Sequence, residues 1–318
     1  MDNALDILKQ ANYMEHKPEG LQPWELAFGS DYWLYRKRFE QWPKEHYVSR
    51  FPLHIDLEVT NACNLRCPHC WRTNAISKKQ FRKVGFMSEK LFRKCADEGA
   101  AKGAVSVKFN YMGEPLLHPD IIEMVRYCKQ LGYLDIMFNT NGVALTDDMS
   151  RGLINAGLTK IFFSVDSVQA KTYNYLRKPA KLPETLRKIH RFIEIRNELG
   201  QALPMVRCSM VTMKENANEE QGFIDYWKDT ADMVSISSYD NPEGIDDKEE
   251  RQIDVAEIFP GQLWQRIMVW WNGEVSAACG DFSGAHLMGD ANTQSLESVW
   301  RGEKWQALRD RAVTECTQ

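Results

Sequence analysis

Cys63, Cys67 and Cys70 crowd into the run Thr60-Asn-Ala-Cys-Asn-Leu-Arg-Cys-Pro-His-Cys-Trp71, spaced Cys-x3-Cys-x2-Cys. A closed four-iron cluster or a structural zinc site takes four protein ligands. Three thiolates on one short loop hold three corners of a 4Fe–4S cube and leave the fourth iron open to a small molecule. Zinc could use these thiolates with His69 or a distant residue, yet zinc sites come as paired knuckles and no second knuckle lies downstream. A ferredoxin-like cluster brings a fourth cysteine at short spacing, and none follows within twenty residues. Ordinary buried thiols have no reason to bunch in this way. The spacing favours the open cluster, with zinc or a plain electron-transfer cluster as the competing readings.

Placed just after a predicted strand, this motif resembles that of the radical S-adenosylmethionine (SAM) enzymes, and the resemblance extends along the chain. Tyr111-Met-Gly-Glu-Pro115 is similar to the family's Gly-Gly-Glu-Pro, with Met112 in place of the first glycine. The resemblance implies that Gly113 permits close backbone approach and that Glu114 accepts a hydrogen bond from the SAM amino group. It implies that His69, before the last cysteine, turns its backbone to the adenine. Asn139-Thr-Asn-Gly142, which contains Asn141, is a family-like strand exit suited to a tight turn. Ser164, in Ser164-Val-Asp-Ser167, and Arg177, in Tyr173-Asn-Tyr-Leu-Arg177, are implied at the ribose or carboxylate end of SAM. Read singly, Ser164 and Asp166 could instead cap the next helix, and Arg177 could form a surface ion pair. In the implied chemistry SAM chelates the open iron, and one electron cleaves it to methionine and a 5′-deoxyadenosyl radical. That radical abstracts hydrogen from an unactivated C–H bond, while the protein binds, orients and excludes water.

These residues need elements to hold them. Strand-like segments at 54–60, 104–109, 135–138, 160–165, 204–211 and 233–237 alternate with helix-like segments, among them 87–98, 146–156, 184–199 and 219–228. Pro119-Asp-Ile-Ile-Glu123 has the look of a capping box. Six strand–helix repeats predict an α/β fold with a parallel sheet. The pattern alone does not separate a doubly wound sheet from a barrel. The resemblance implies a partial (βα)6 radical SAM barrel with a small C-terminal β-hairpin plus helix extension. Residues 1–50, rich in aromatics, read as a helical lead-in packed on the barrel, 51–240 as the barrel and 241–318 as the extension. Tyr32, Tyr35 and Phe39 fall at helical spacing in the lead-in.

Beyond residue 240 a polar, turn-rich stretch reads as a linker or substrate-side loop. A hairpin over 267–279 with a type I′ turn at Asn272-Gly273 follows, then a terminal helix carrying Leu296, Val299, Trp300 and Trp305. This resembles the SPASM or twitch extensions, which hold auxiliary iron–sulfur clusters. Cys279 and Gly289 fit that pattern, position 294 is Gln where a cysteine is expected, and Cys316 could open the later cysteine pair. Asp281, His286 or Asp290 could complete an auxiliary 4Fe–4S site on Cys279 and Cys316; the alternative is a degenerate extension with Cys279 free. Cys208, on the fifth predicted strand, and Cys279 are candidate hydrogen donors to a substrate radical, whereas Cys95 and Cys128 read as core.

With 318 residues, 43% hydrophobic, 26% charged and a formal net charge of −4, the chain favours neither nucleic acid nor an anionic membrane surface. The start lacks a basic and an apolar region, and no apolar run is long enough to span a bilayer. A cytoplasmic protein is expected, its eight cysteines metal-binding or free. The leading expectation is a radical SAM oxidoreductase or isomerase that dehydrogenates or epimerises a natural-product or sugar-like small molecule, fed by a reducing donor such as flavodoxin or ferredoxin. The alternatives are modification of a ribosomal peptide and, in another class, an iron–sulfur electron carrier or zinc-stabilised binding module.

Overall fold

Polar and apolar residues alternate along the strands, and the fold buries both sets. The computed structural model describes residues 13–239, 260–278 and 280–315. Cys279, Cys316 and the stretch read as a linker lie outside the described residues. Strand β1 (Tyr13–His16) leads into helices α1 (Pro23–Ala27) and α2 (Ser30–Lys44). The repeat then runs β2 (His54–Leu57), α3 (Trp71–Ser77), α4 (Glu89–Lys102), β3 (Ser106–Lys108), α5 (Ile121–Gln130), β4 (Asp135–Thr140), α6 (Asp147–Ala156) and β5 (Lys160–Ser164). It continues through α7 (Ala170–Leu176), α8 (Leu182–Glu198), β6 (Met205–Thr212), α9 (Glu220–Trp227) and β7 (Met233–Ser238). Strands β8 (Arg266–Val269), β9 (Glu274–Ser276) and β10 (Leu287–Asp290) follow, with helices α10 (Leu296–Trp300) and α11 (Glu303–Glu315).

The sheet order is β1-β7-β6-β5-β4-β3-β2-β8-β9-β10. Strands β2 to β7 are parallel and consecutive, as the six-fold repeat predicts. Two pairings were not in the sequence pattern. Strand β1 pairs antiparallel with β7, and β8 lies parallel to β2, placing His54 opposite Arg266. The expected hairpin forms between β8 and β9, but only Gly273 at its turn has positive φ (97°). A type I′ turn needs two such residues, so the turn is of another type. The capping box at Asp120 does not form either: the Asp120 side chain caps nothing, and Glu123 pairs with Arg126.

The outward strand residues pack under the helices. Ile136, Phe138, Ile161, Phe163, Val206 and Cys208 belong to one continuous core with α4 to α9. The inward residues at the strand starts meet the lead-in instead. Met137, Phe162, Met205 and Met233 pack against Trp24 of α1, Phe28 in the turn after it, and Tyr32, Tyr35 and Phe39 of α2. Burying each such side chain contributes about 1.5–3 kcal/mol, so the lead-in closes the barrel's lower end. Covered on both faces, β2 is buried at all four positions, unlike the half-buried strand that its alternation suggests.

Candidate active site at the upper strand ends

Above β2 the chain crosses the barrel mouth as a short loop bearing the three cysteines, all free thiols. Cys67 is buried, and Cys63 and Cys70 are half-buried. Cys70 sits at the N-cap of α3, and its amide donates to the Cys67 carbonyl at 3.1 Å. Burial pushes all three thiols up, and each thiolate raises a neighbour's further. The Arg177 guanidinium opposes the rise at Cys67, and the amides of Arg72 and Thr73 oppose it at Cys70.

Glu114 stands at the exit of β3 and is 2% exposed. Its Oε1 accepts from Thr140 Oγ1 at 2.6 Å and from the Leu116 amide at 3.1 Å, and its Oε2 from the Asn141 amide at 2.8 Å. Burial raises its pKa. An ionised carboxylate has roughly four acceptor positions, so these donors leave room for one more. Its own amide donates to the Ala62 carbonyl at 2.8 Å, fastening it to the cysteine loop. Gly113 makes that contact sterically possible: a Cβ there would lie 2.1 Å from the Thr60 oxygen and 2.7 Å from that of Ala62. Asn141 Nδ2 donates to Asn64 Oδ1 at 2.8 Å and lies 4.0 Å from Cys63 Sγ.

Arg177, at the C-cap of α7, points back across the mouth. Its Nη2 is 2.6 Å from Asp166 Oδ2, it bonds toward Cys67, and the guanidinium is almost wholly enclosed. Among the described residues its Nε has no acceptor. Asp166 is the residue that sequence reasoning missed, having been weighed only as a helix cap. It is fully buried with φ of 63°, a region rare outside glycine, asparagine and aspartate. Its Oδ1 accepts from the Val211 amide at 3.0 Å, and its carbonyl from Asn216 Nδ2 at 2.8 Å. His69 Nε2 is 3.5 Å from Asp166 Oδ2, so its ring turns to this carboxylate, while its carbonyl accepts from Tyr239 Oη at 3.3 Å. Ser164 lies half-buried at the end of β5.

The structure therefore gathers Cys63, Cys67, Cys70, His69, Gly113, Glu114, Asn141 and Arg177 about one loop. Cys208 is elsewhere. Strand alternation turns Arg207 and Ser209 inward, toward Phe162 and Ser235, and leaves Cys208 fully buried in the outer core. A thiol there cannot reach the barrel interior, which corrects its assignment as a hydrogen donor. In the extension, Asp281 is fully buried and holds a turn, accepting from Ser276 Oγ and the amides of Gly284, Ala285 and His286. Asp290 likewise accepts from Asn292, and Gln294 Oε1 accepts from the Asp290 amide at 2.9 Å. These carboxylates organise the loops on either side of β10.

The donor set fits an open 4Fe–4S cluster. Three free thiols on one short loop, beside a buried guanidinium N–H lacking an acceptor, suit a sulfur-rich anion. Among the described residues, no group of three His, Cys, Asp or Glu side chains is placed to hold a single metal ion. Glu114, with its remaining acceptor position, fits the SAM ammonium.

The extension shields the loop's far side. Arg82 pairs with buried Glu58 through two bonds of 2.9 and 3.0 Å and stacks 3.7 Å over Trp270. Trp270 stacks on Tyr111, and Phe282 meets both Tyr111 and Trp71.

Comparison with known proteins agrees with this geometry. A family model of the Radical SAM superfamily matches residues 57–223, and one of an iron-sulfur cluster-binding domain, SPASM, matches residues 261–318. A tungsten-containing aldehyde ferredoxin oxidoreductase cofactor-modifying protein of Pyrococcus furiosus is 30% identical over 51% of this chain and 44% of its own. The chain spans about half the length of the curated relatives it matches. SuiB of Streptococcus suis, solved bound to its precursor peptide SuiA, superposes with a TM-score of 0.66 at 14% identity, over 86% of this chain and 70% of that one. BtrN, solved with AdoMet and 2-DOIA, superposes with a TM-score of 0.56 at 17% identity, over 84% and 88%. Both share the fold.

Proposed function

The chain belongs to the Radical SAM superfamily and ends in a SPASM iron–sulfur cluster-binding domain, and we propose that it abstracts hydrogen from a polar small molecule held inside the barrel. Cys63, Cys67 and Cys70 would hold the 4Fe–4S cluster. Glu114 would take the SAM ammonium, with Asn141 and Ser164 beside it and the His69 backbone at the adenine end. When bound, cluster and SAM supply a radical able to take hydrogen from an unactivated carbon.

The chain's own residues confine that reactivity. Asp166 fixes Arg177 against Cys67 and keeps a positive charge by the thiolates. The Arg82–Glu58 pair and the Trp270, Tyr111 and Phe282 rings keep water from the loop's extension side. The α1–α2 lead-in closes the lower end. In this reading residues 51–240 carry the chemistry, 241–318 shield it, and the free thiols suit a reducing compartment. No helix among the described residues is long and apolar enough to cross a membrane.

One observation favours a small polar substrate. Inward-facing Lys108, Asn139, Ser164 and Ser209 are half-buried, while their outward neighbours Val107, Phe138, Phe163 and Cys208 are 0–1% exposed. Solvent thus reaches the barrel interior, and hydrogen-bonding groups line it. Dehydrogenation or epimerisation of a hydroxylated substrate suits that lining.

Anaerobic reconstitution followed by iron and sulfide analysis, electron paramagnetic resonance and assay of 5′-deoxyadenosine tests this. About four irons per chain, a signal shifted by SAM and dithionite-dependent 5′-deoxyadenosine are expected. A cluster indifferent to SAM would leave an electron carrier instead. About eight irons, with one signal unmoved by SAM, would add an auxiliary cluster and favour dehydrogenation.

A further inference from the structure

We propose that the outer face of the cysteine loop is the docking surface for a small acidic one-electron carrier protein of the flavodoxin or ferredoxin type. This rests on the loop's being a cluster site. The loop's inner side meets Glu114 and Asn141, but its outer side is a cationic patch. Asn64 and Leu65 line a cleft there together with Pro179, Lys181, Glu184 and Lys188. Arg66 is exposed, and its amide donates to the Lys178 carbonyl at 2.6 Å, so loop and patch share one backbone seam. Lys178 is exposed too, its ammonium 4.5 Å from the ring of Tyr175, itself 45% exposed.

Arg66, Lys178 and Lys181 are exposed here, Lys188 sits half-buried in the cleft with its ammonium on the Val143 carbonyl, and Glu184 is the one carboxylate lining that cleft, on a chain whose net charge is −4. Arg66 adjoins Cys67 and Asn64 adjoins Cys63, so a carrier seated here brings its redox centre close to two of the three thiols. A positive field would steer an acidic partner to this spot and set its orientation. In the transfer itself one electron leaves the reduced carrier, which is oxidised by one unit, and the cluster is reduced by one; no bond or proton moves.

The test uses the anaerobically reconstituted protein with flavodoxin as probe. Binding is measured by flavin fluorescence, and SAM cleavage is driven either by reduced flavodoxin or by dithionite. For Lys178→Glu/Lys181→Glu, flavodoxin binding and the flavodoxin-driven rate are both expected to fall about tenfold, with the dithionite-driven rate unchanged. Lys304→Glu, on α11, is expected to alter neither. Wild-type binding should also weaken as salt rises from about 50 to about 300 mM. Unchanged flavodoxin binding in the double variant, or salt-insensitive binding in the wild type, overturns the assignment. If the double variant loses iron, Lys181→Glu alone carries the test, because the Lys181 backbone does not brace the loop. Failure of wild-type SAM cleavage with dithionite would instead overturn the functional reading, and the binding titration would still report on the surface.

Discussion

Arg177 Nη2 lies 2.6 Å from Oδ2 of Asp166, and the same guanidinium bonds toward Cys67, so one side chain ties the exit of β5 to the cysteine loop. Asp166 holds that position with φ of 63°. Its pairing and its backbone can be separated by substitution. Asp166→Ala removes a buried partner and places an unsuited residue in the left-handed region, at a cost of about 3–5 kcal/mol. Asp166→Asn tolerates the backbone and keeps an oxygen for the Val211 amide, so a smaller loss is expected. Urea unfolding of both apoproteins checks the order; equal losses would mean that the backbone conformation is immaterial.

Gly113→Ala is expected to disturb the cysteine loop without unfolding the barrel. The new Cβ meets the carbonyls of Thr60 and Ala62, backbone atoms with little freedom to move aside. Overpacking of this kind costs about 1–3 kcal/mol. Iron incorporation should drop sharply while far-ultraviolet circular dichroism stays unchanged. Full iron loading would show that the loop tolerates displacement.

Glu114→Gln turns an amide NH2 toward one of three donors, from Leu116, Thr140 and Asn141. A buried donor left facing a donor costs about 1–3 kcal/mol, so the apoprotein itself should be less stable. SAM affinity, measured by equilibrium dialysis, should fall about tenfold or more as the charged acceptor is lost. A stable variant with intact SAM binding would remove Glu114 from the site.

Lys160 gives the protein a distinctive alkaline response. Burial lowers its pKa to about 8; Asp135, 2.8 Å away, opposes that shift, while Arg36 and Arg207 reinforce it, and Tyr32 and Phe28 cover it. The unfolded chain holds this proton until about pH 10.5, so between about 8 and 10.5 the unfolded state binds more protons and stability from this group rises with pH. Lys160→Met should abolish that rise while lowering stability at neutral pH, since Asp135 then loses its buried partner. Denaturant unfolding of the apoprotein at about pH 7.5 and 9.5 measures both effects.

Much of this was legible because it is local. The three cysteines occupy one loop, and the strand–helix repeat follows from short-range periodicity, so β2 to β7 appear in their predicted order. Cys208 shows a signal that was present but not used. Its neighbours Arg207 and Ser209 are polar, Val206 and Met210 are apolar, and period-two alternation assigns the thiol to the apolar face. The pairing of β8 with β2 joins residues more than two hundred positions apart, and nothing near either strand encodes it. Asp166 was obscured for a related reason: its importance lies in a backbone conformation and a partner eleven residues on, and its residue type alone also describes a helix cap.

The pairing of β8 with β2 has a consequence for any attempt to shorten the chain. The strand that feeds the cysteine loop now has a neighbour on either side, so the amides of its central residues should be among the slowest in the protein to exchange with deuterium. Deleting residues 261–318 would leave His54–Leu57 as a bare sheet border with unpaired backbone groups, the kind of edge on which chains stack into aggregates. The extension thus covers that border, and a fragment ending before β8 should precipitate even where its cysteine loop is complete.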